Sequence, residues 1–313
     1  SGGQQNRQLT QLVGATMTTA QTRALASEAG TALILEPAIN GMPLEGCNAI
    51  YRAEVPPLIT GTCGGVPPVS LSSTFAAATL HPLNTDAAAL TDGYKIRFFA
   101  DAKNGSPPSV WMTFLPASNQ VRFNASVNQT ADNTVWPVPL PDAPLDFEIA
   151  RRPQPSTVDF APTPRSGIDV RYSGFGDEPT AMFGTLHPPL LSSAAAPYFR
   201  MSLSLNRQGS MEAVLGHWVD GSGNVHIDTA YPTAALYLLV ATLDDIDGNT
   251  SLSSAASRWI SIAPASGRVT VSQNNPQPDP AIDSGTAVNV AAVKTAVKAA
   301  RIFARAGAAG GSE

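Results

Sequence analysis

Charge is what this sequence has least of. Only 14% of its 313 residues are Asp, Glu, Lys or Arg, against about 25% in an ordinary soluble domain. The net charge of −5 excludes the basic surface of a general nucleic-acid binder. With two cysteines the chain is no disulfide-dense scaffold. No run of about 18 apolar residues occurs, so nothing in the stretch at hand spans a membrane as a helix. Reaction signatures are missing as well. There is no G-x-S-x-G, H-E-x-x-H or G-x-x-x-x-G-K-[ST], and no G-x-G-x-x-G after a strand. The histidines His81, His187, His217 and His226 are scattered. A hairpin that paired His217 with His226 near Asp228 would offer metal ligands, but a wet cross-strand polar pair is the favoured explanation. The chain reads as non-enzymatic, with no catalytic residue and no cofactor.

What takes the place of charge is Gly, Pro, Ser, Thr and Ala. Twenty-seven prolines and 25 glycines describe many short strands and turns, a composition common outside the cell. Cys47 and Cys63 enclose a short loop in such a chain and read as a disulfide, worth roughly 3 kcal/mol in the chain-entropy view. Two buried thiols are the alternative.

Two helices are predicted, one at each end. From Asn6, Leu9, Leu12, Val13, Thr16, Met17, Ala20 and Ala24 fall on one face at i, i+3, i+4 and i+7. Gly30 stands where a helix end needs positive φ, and TALILE follows as a strand. At the far end Thr286–Ala306 reads as a helix behind a proline-rich tether. Val290, Val293, Val297, Ala300 and Ala304 line one face of it, and Lys294, Lys298, Arg301 and Arg305 form a basic stripe. That stripe reads as a solvated face, or as a contact for lipid headgroups or an acidic neighbour.

Between the helices, alternation marks strands at 49–55, 94–98, 110–114, 120–127 and 145–150, and again from Phe199 onward. Leu236–Val240 is continuously apolar, which suits a strand covered on both faces. RPQPSTVDFAPTPR (152–165) divides these strands, as a linker or as a long surface loop. The expected architecture is α+β: an N-terminal helix (1–30), a predominantly antiparallel β head in lobes 31–151 and 166–273, and a tethered C-terminal helix (274–313).

The helix and strand of residues 6–36, NRQLTQLVGATMTTAQTRALASEAGTALILE, together with ALYLLVATLDD (235–245) and SRWISIAPASGRVTVSQ (257–273), resemble the prepilin-type proteins, the type IV pilins and type II secretion pseudopilins. These segments cover about a quarter of the chain. The resemblance implies a non-enzymatic filament subunit at the cell surface, in the periplasm or outside the cell. Its partners would be further copies of itself or related pilin-like subunits. Assembly would bury Leu9, Leu12, Val13 and Met17 against equivalent helices or against the head's own sheet. The family's apolar, membrane-spanning half-helix and its glycine-phenylalanine processing site would precede Ser1, and membrane attachment is expected only through such a segment.

Some pseudopilin heads carry a structural calcium. Asp245, Asp247 and Asn249 alternate as hard oxygen ligands do, although the spacing is not that of an EF-hand. A polar turn is the competing reading. Two other functions fit the composition: a carbohydrate- or surface-binding β-sandwich adhesin, with Trp111, Trp136, Trp218 and Trp259 as candidate contacts, and a β-rich capsid or sheath subunit.

Overall fold

The computed structural model describes residues 2–27, 29–36, 46–63, 74–79, 83–84, 90, 93–99, 111–115, 120–128, 146–159, 165–177, 181–182, 198–219, 225–230, 232, 234–277 and 290–310. It has an N-terminal helix, mostly antiparallel sheets and a C-terminal helix, an α+β fold. The chain divides into two compact units. One is formed by Ser1–Glu54 and Pro155–Glu313, and the other by Val55–Gln154.

The main unit begins with α1 (Gly2–Ala26), which contains no proline. Its threonines at 16, 18, 19 and 22 would ordinarily weaken a helix by competing for the backbone. Each instead donates its hydroxyl to the carbonyl four residues earlier, which the helix geometry permits. The helix ends in a tight turn. Gly30 has φ +95, and a Cβ there would lie 2.2 Å from the Leu205 carbonyl oxygen, so only glycine fits. Ser27 Oγ donates to the Gly30 carbonyl and accepts from the Gly30 N–H. Thr31 Oγ1 then donates to the Ala20 carbonyl at 2.7 Å, folding the next strand back along the helix.

That strand, β1 (Thr31–Glu36), lies in the middle of a six-stranded sheet. Its order is β11 (Gln154–Asp159), β3 (Ala49–Glu54), β1, β14 (Tyr198–Leu205), β15 (Met211–Val219) and β16 (Val225–Ala230). A second sheet runs β13 (Ala181–Met182), β12 (Ser166–Phe175), β17 (Leu236–Thr242), β18 (Arg258–Ile262) and β19 (Val269–Gln273), and β2 (Gly46–Cys47) also pairs with β12. α1 lies against β1, β3 and β14 of the first sheet and against β12, β17, β18 and β19 of the second. Leu9, Val13, Met17, Ala20 and Ala24 form one core with Leu33, Leu203, Leu238, Val240 and Ile260. Fully burying side chains of this size stabilises by about 1.5–3 kcal/mol each.

The second sheet is covered on its other face too. Along β17, Leu236, Leu238 and Val240 join the α1 core, while Tyr237 and Leu239 join Trp259, Val297, Ala300 and Ala304. The last three belong to α3 (Val290–Gly310). The continuous apolar run is therefore a strand between two helices, as expected from its sequence. Between β17 and β18 stands a single helical turn, α2 (Leu243–Asp247).

Two expectations about organisation are corrected. Strands expected in separate lobes, β1 and β3 from 31–151 and β14 to β16 from 166–273, share one sheet, because the hydrogen bonds of β1 go to Leu205–Met201 on one side and to Glu54–Ala49 on the other. The proline-rich stretch is also no linker throughout, since Gln154–Asp159 forms β11. β11 sits at a sheet edge, where a strand tolerates residues that cannot donate on one side.

The inserted unit is a seven-stranded sheet: β5 (Thr74–Thr79), β9 (Gln120–Asn128), β8 (Met112–Leu115), β7 (Gly93–Phe99), β10 (Asp146–Arg151), β4 (Ile59–Cys63) and β6 (Leu83–Asn84). Its core is Ile96, Phe98, Met112, Phe114, Val121, Phe147 and Ile149, with Cys63.

Candidate functional site

The main unit concentrates its buried polar groups where β12 breaks its ladder. The register runs Asp169 to Leu239 and resumes at Gly174 to Tyr237, so β12 bulges between them. A bulge leaves backbone groups without ladder partners, and side chains supply them. Ser173 Oγ accepts from the Leu239 N–H at 3.0 Å and donates to the Asp169 carbonyl at 2.7 Å. Asp169, wholly buried, accepts from Arg171 Nε at 3.0 Å and Nη2 at 2.7 Å, and from Ser251 Oγ at 2.7 Å. Arg171 reaches on to the Ile246 carbonyl at 2.8 Å and to Asn249 Oδ1.

On the far side of the bulge, Arg301 of α3 is 0% exposed. It donates to the carbonyls of Tyr172 at 2.7 Å, Gly176 at 2.9 Å and Phe175 at 3.3 Å. Its guanidinium also lies 5.6 Å from the centre of the Tyr237 ring. Burial pushes Arg301 down to about 10, still far enough above neutral pH to keep its charge. Asp177 accepts from Arg305 and from the Tyr237 hydroxyl. Burial, followed by the neighbouring Asp177 carboxylate, pushes the Tyr237 phenol up. The basic stripe of α3 is thus split: Arg301 points into the core, while Arg305 and Lys298 are exposed.

The arrangement is a fastening. Two further polar side chains, Asn6 and Asn274, hold the loop after α2. Asn6 donates to the Ala256 carbonyl at 2.9 Å and accepts from Ser166 Oγ at 2.7 Å. Asn274 accepts from Trp259 Nε1 and donates to the carbonyls of Leu252 and Ser254.

The three residues of the calcium reading lie on α2 and in the turn after it. Asp245 and Asp247 lie in α2, capped by Thr242, whose hydroxyl accepts from the Asp245 N–H at 3.1 Å. Residues two apart on a helix do not face one another. Asn249 turns its Oδ1 to the Arg171 guanidinium, a cation in the place of the expected one. Among the described residues, no group of three His, Cys, Asp or Glu side chains is placed to hold a metal.

No protein-family model, curated protein or solved structure matches this chain.

The remaining candidates separate. Leu9, Val13 and Met17 are wholly buried on the protein's own sheets, with Leu12 packed against the same core. Cys47 and Cys63 are buried thiols not joined to each other. Cys47 sits on β2, paired with Ile168, and Cys63 on β4, paired with Leu83, so they belong to different sheets. Burial raises the Cys47 thiol far above its ordinary range, helped by the nearby carboxylates of Glu36 and Asp169. The β15–β16 register sets His217 opposite Ile227 and His226 opposite Trp218, so the two histidines are not partners. Trp259 is core. Trp136, His81 and His187 lie outside the described residues, as does the side chain of Trp218. Trp111, a candidate contact in the adhesin reading, is half-buried on the inserted unit.

Proposed function

We propose that this chain is a non-enzymatic structural subunit of a type IV pilus-like or type II secretion-like filament, working at the cell surface or beyond it. One observation carries the reading. The segments that resemble prepilin-type proteins lie far apart in sequence, yet α1 packs directly along β17, β18 and β19, the strands of the other two segments. Gln21 Nε2 of α1 donates to the Gly267 carbonyl in the β18–β19 turn, and Val269 packs on the α1 core.

The Leu9 stripe is buried within the chain's own head, so assembly uses the opposite face of the helix. That face carries Gln4, Gln11, Ala15, Thr18 and Thr22. Its threonine hydroxyls are already bonded to their own helix, which lowers the cost of covering them.

The test is the coding sequence upstream of Ser1. A short basic leader and about 20 apolar residues running into α1 are expected. A conventional cleavable signal peptide, or an initiator methionine directly before Ser1, would overturn the filament reading.

A further inference from the structure

The inserted unit covers one face of its sheet with apolar side chains, and its other face is organised in rows. Along β10, Phe147 and Ile149 enter the core while Asp146 and Glu148 point the opposite way. On β7, Ile96 and Phe98 enter and Lys95, Arg97 and Phe99 do not. The registers align these residues across the strands. Glu148 stands between Thr60 and Arg97, and Asp146 between Thr62 and Phe99.

Arg97 fixes the centre of this surface. Its Nε and Nη2 lie 2.8 and 2.6 Å from Glu148 Oε2. Its guanidinium sits 4.5 Å from the Trp111 ring centre and 5.3 Å from that of Phe99. Lys95 Nζ approaches the same Trp111 ring at 4.9 Å. Such cation–π contacts hold aromatic rings in place. Beside them a cleft of about 310 Å³ opens, lined by Thr60, Gly61, Thr62, Phe99, Asp146 and Glu148.

We propose that this cleft and the adjoining Trp111 bind a neutral oligosaccharide. A sugar offers an apolar C–H face and an edge of hydroxyls. Fixed aromatic rings suit the first, and a carboxylate with two threonine hydroxyls suits the second. Among the described residues Asp146 makes no ion pair, so its oxygens remain as acceptors for sugar O–H donors. That same carboxylate disfavours phosphate, uronate and nucleic acid by like charge. Glu148 is already neutralised by Arg97, so the pair of carboxylates is no ready cation site. The inference is local to residues 59–148 and does not depend on the filament reading.

The experiment is saturation-transfer NMR on the full chain with cellohexaose, maltohexaose, mannohexaose and chitohexaose, with hexagalacturonate as the charged comparison. At least one neutral hexasaccharide is expected to bind at micromolar to millimolar concentration and to perturb Trp111 fluorescence. Asp146→Asn, which keeps the shape of the side chain, is expected to weaken that binding about tenfold by removing a charge-assisted acceptor. Trp111→Ala is expected to abolish it, and Asp247→Asn on the main unit to leave it unchanged. The proposal falls if none of the neutral sugars binds. It falls equally if hexagalacturonate binds as well as they do, or if binding survives both Asp146→Asn and Trp111→Ala at full strength.

Discussion

Arg301 Nη2 lies 2.7 Å from the carbonyl oxygen of Tyr172, so a buried cation on the last helix completes the hydrogen bonding of a bulged strand more than a hundred residues earlier. Two more carbonyls, of Phe175 and Gly176, share the same guanidinium. Planar geometry with donors fanned over one edge is what Arg provides and Lys does not. α3 is therefore docked by directional bonds as well as by Val297, Ala300 and Ala304.

Arg301→Ala is expected to destabilise the main unit by about 3 kcal/mol, since it takes the donor from the buried carbonyls of Tyr172 and Phe175 and the half-buried one of Gly176 and removes charge-assisted bonds. Arg301→Lys should fall between the two. Urea unfolding measures the loss, and hydrogen exchange at 295–306 should show α3 opening ahead of the sheets.

Asp169→Asn leaves the Arg171 charge buried without its carboxylate. The expected cost is about 3–5 kcal/mol. Asn249→Ala removes one acceptor of the same guanidinium and should cost about 1 kcal/mol. Combining the two should give a total that departs from the sum, because both act on Arg171. Additive losses in urea titrations would show that the contacts are independent.

The buried thiols make two linked expectations. In native protein neither Cys47 nor Cys63 should react with a thiol reagent, and both should titrate in denaturant. The folded state holds the Cys47 proton to higher pH than the unfolded chain does. Its contribution is therefore complete below about pH 8.5, the ordinary thiol value, and is lost as pH rises above it. Stability should fall with a slope approaching about 1.4 kcal/mol per pH unit between pH 9 and 10. Cys47→Ala should remove that slope.

Gly30→Ala forces a side chain into φ +95 and against the Leu205 carbonyl. A loss of about 2 kcal/mol or more is expected, read as a drop in melting temperature. Gly3→Ala, at a position with open space around it, should be neutral or slightly stabilising.

Much of the fold was legible in periodicity. The stripe of α1, the positive-φ glycine after it and the two-sided burial of Leu236–Val240 all follow from spacing that local geometry enforces. What spacing could not show was which strands meet. β1 finds β14 through pairing across most of the chain, and β11 lies inside a stretch whose prolines read as a linker. In the sequence Arg301 reads as part of an outward basic stripe because it continues the series Lys294, Lys298. Yet it stands four residues after Val297 and next to Ala300, inside the face that docks. The bulge in β12 has no sequence signature of its own, so the carbonyls that call for a buried cation were invisible. Thr242 did offer a signal for α2: a capping hydroxyl followed by Asp244 and Asp245 in the first turn.

The insertion leaves the main sheet at the end of β3 and returns at β11, the strand beside it. This sets an order of events on the ribosome. Residues 55–154 are complete, with their own core, well before Tyr198 begins the strand that β1 needs. The inserted unit can close as it emerges, while α1 and β1 wait with Leu9, Met17 and Leu33 uncovered. A segment made before the inserted unit is thus folded after it, and its apolar face is open to chaperones, or to a neighbouring nascent chain, throughout that interval.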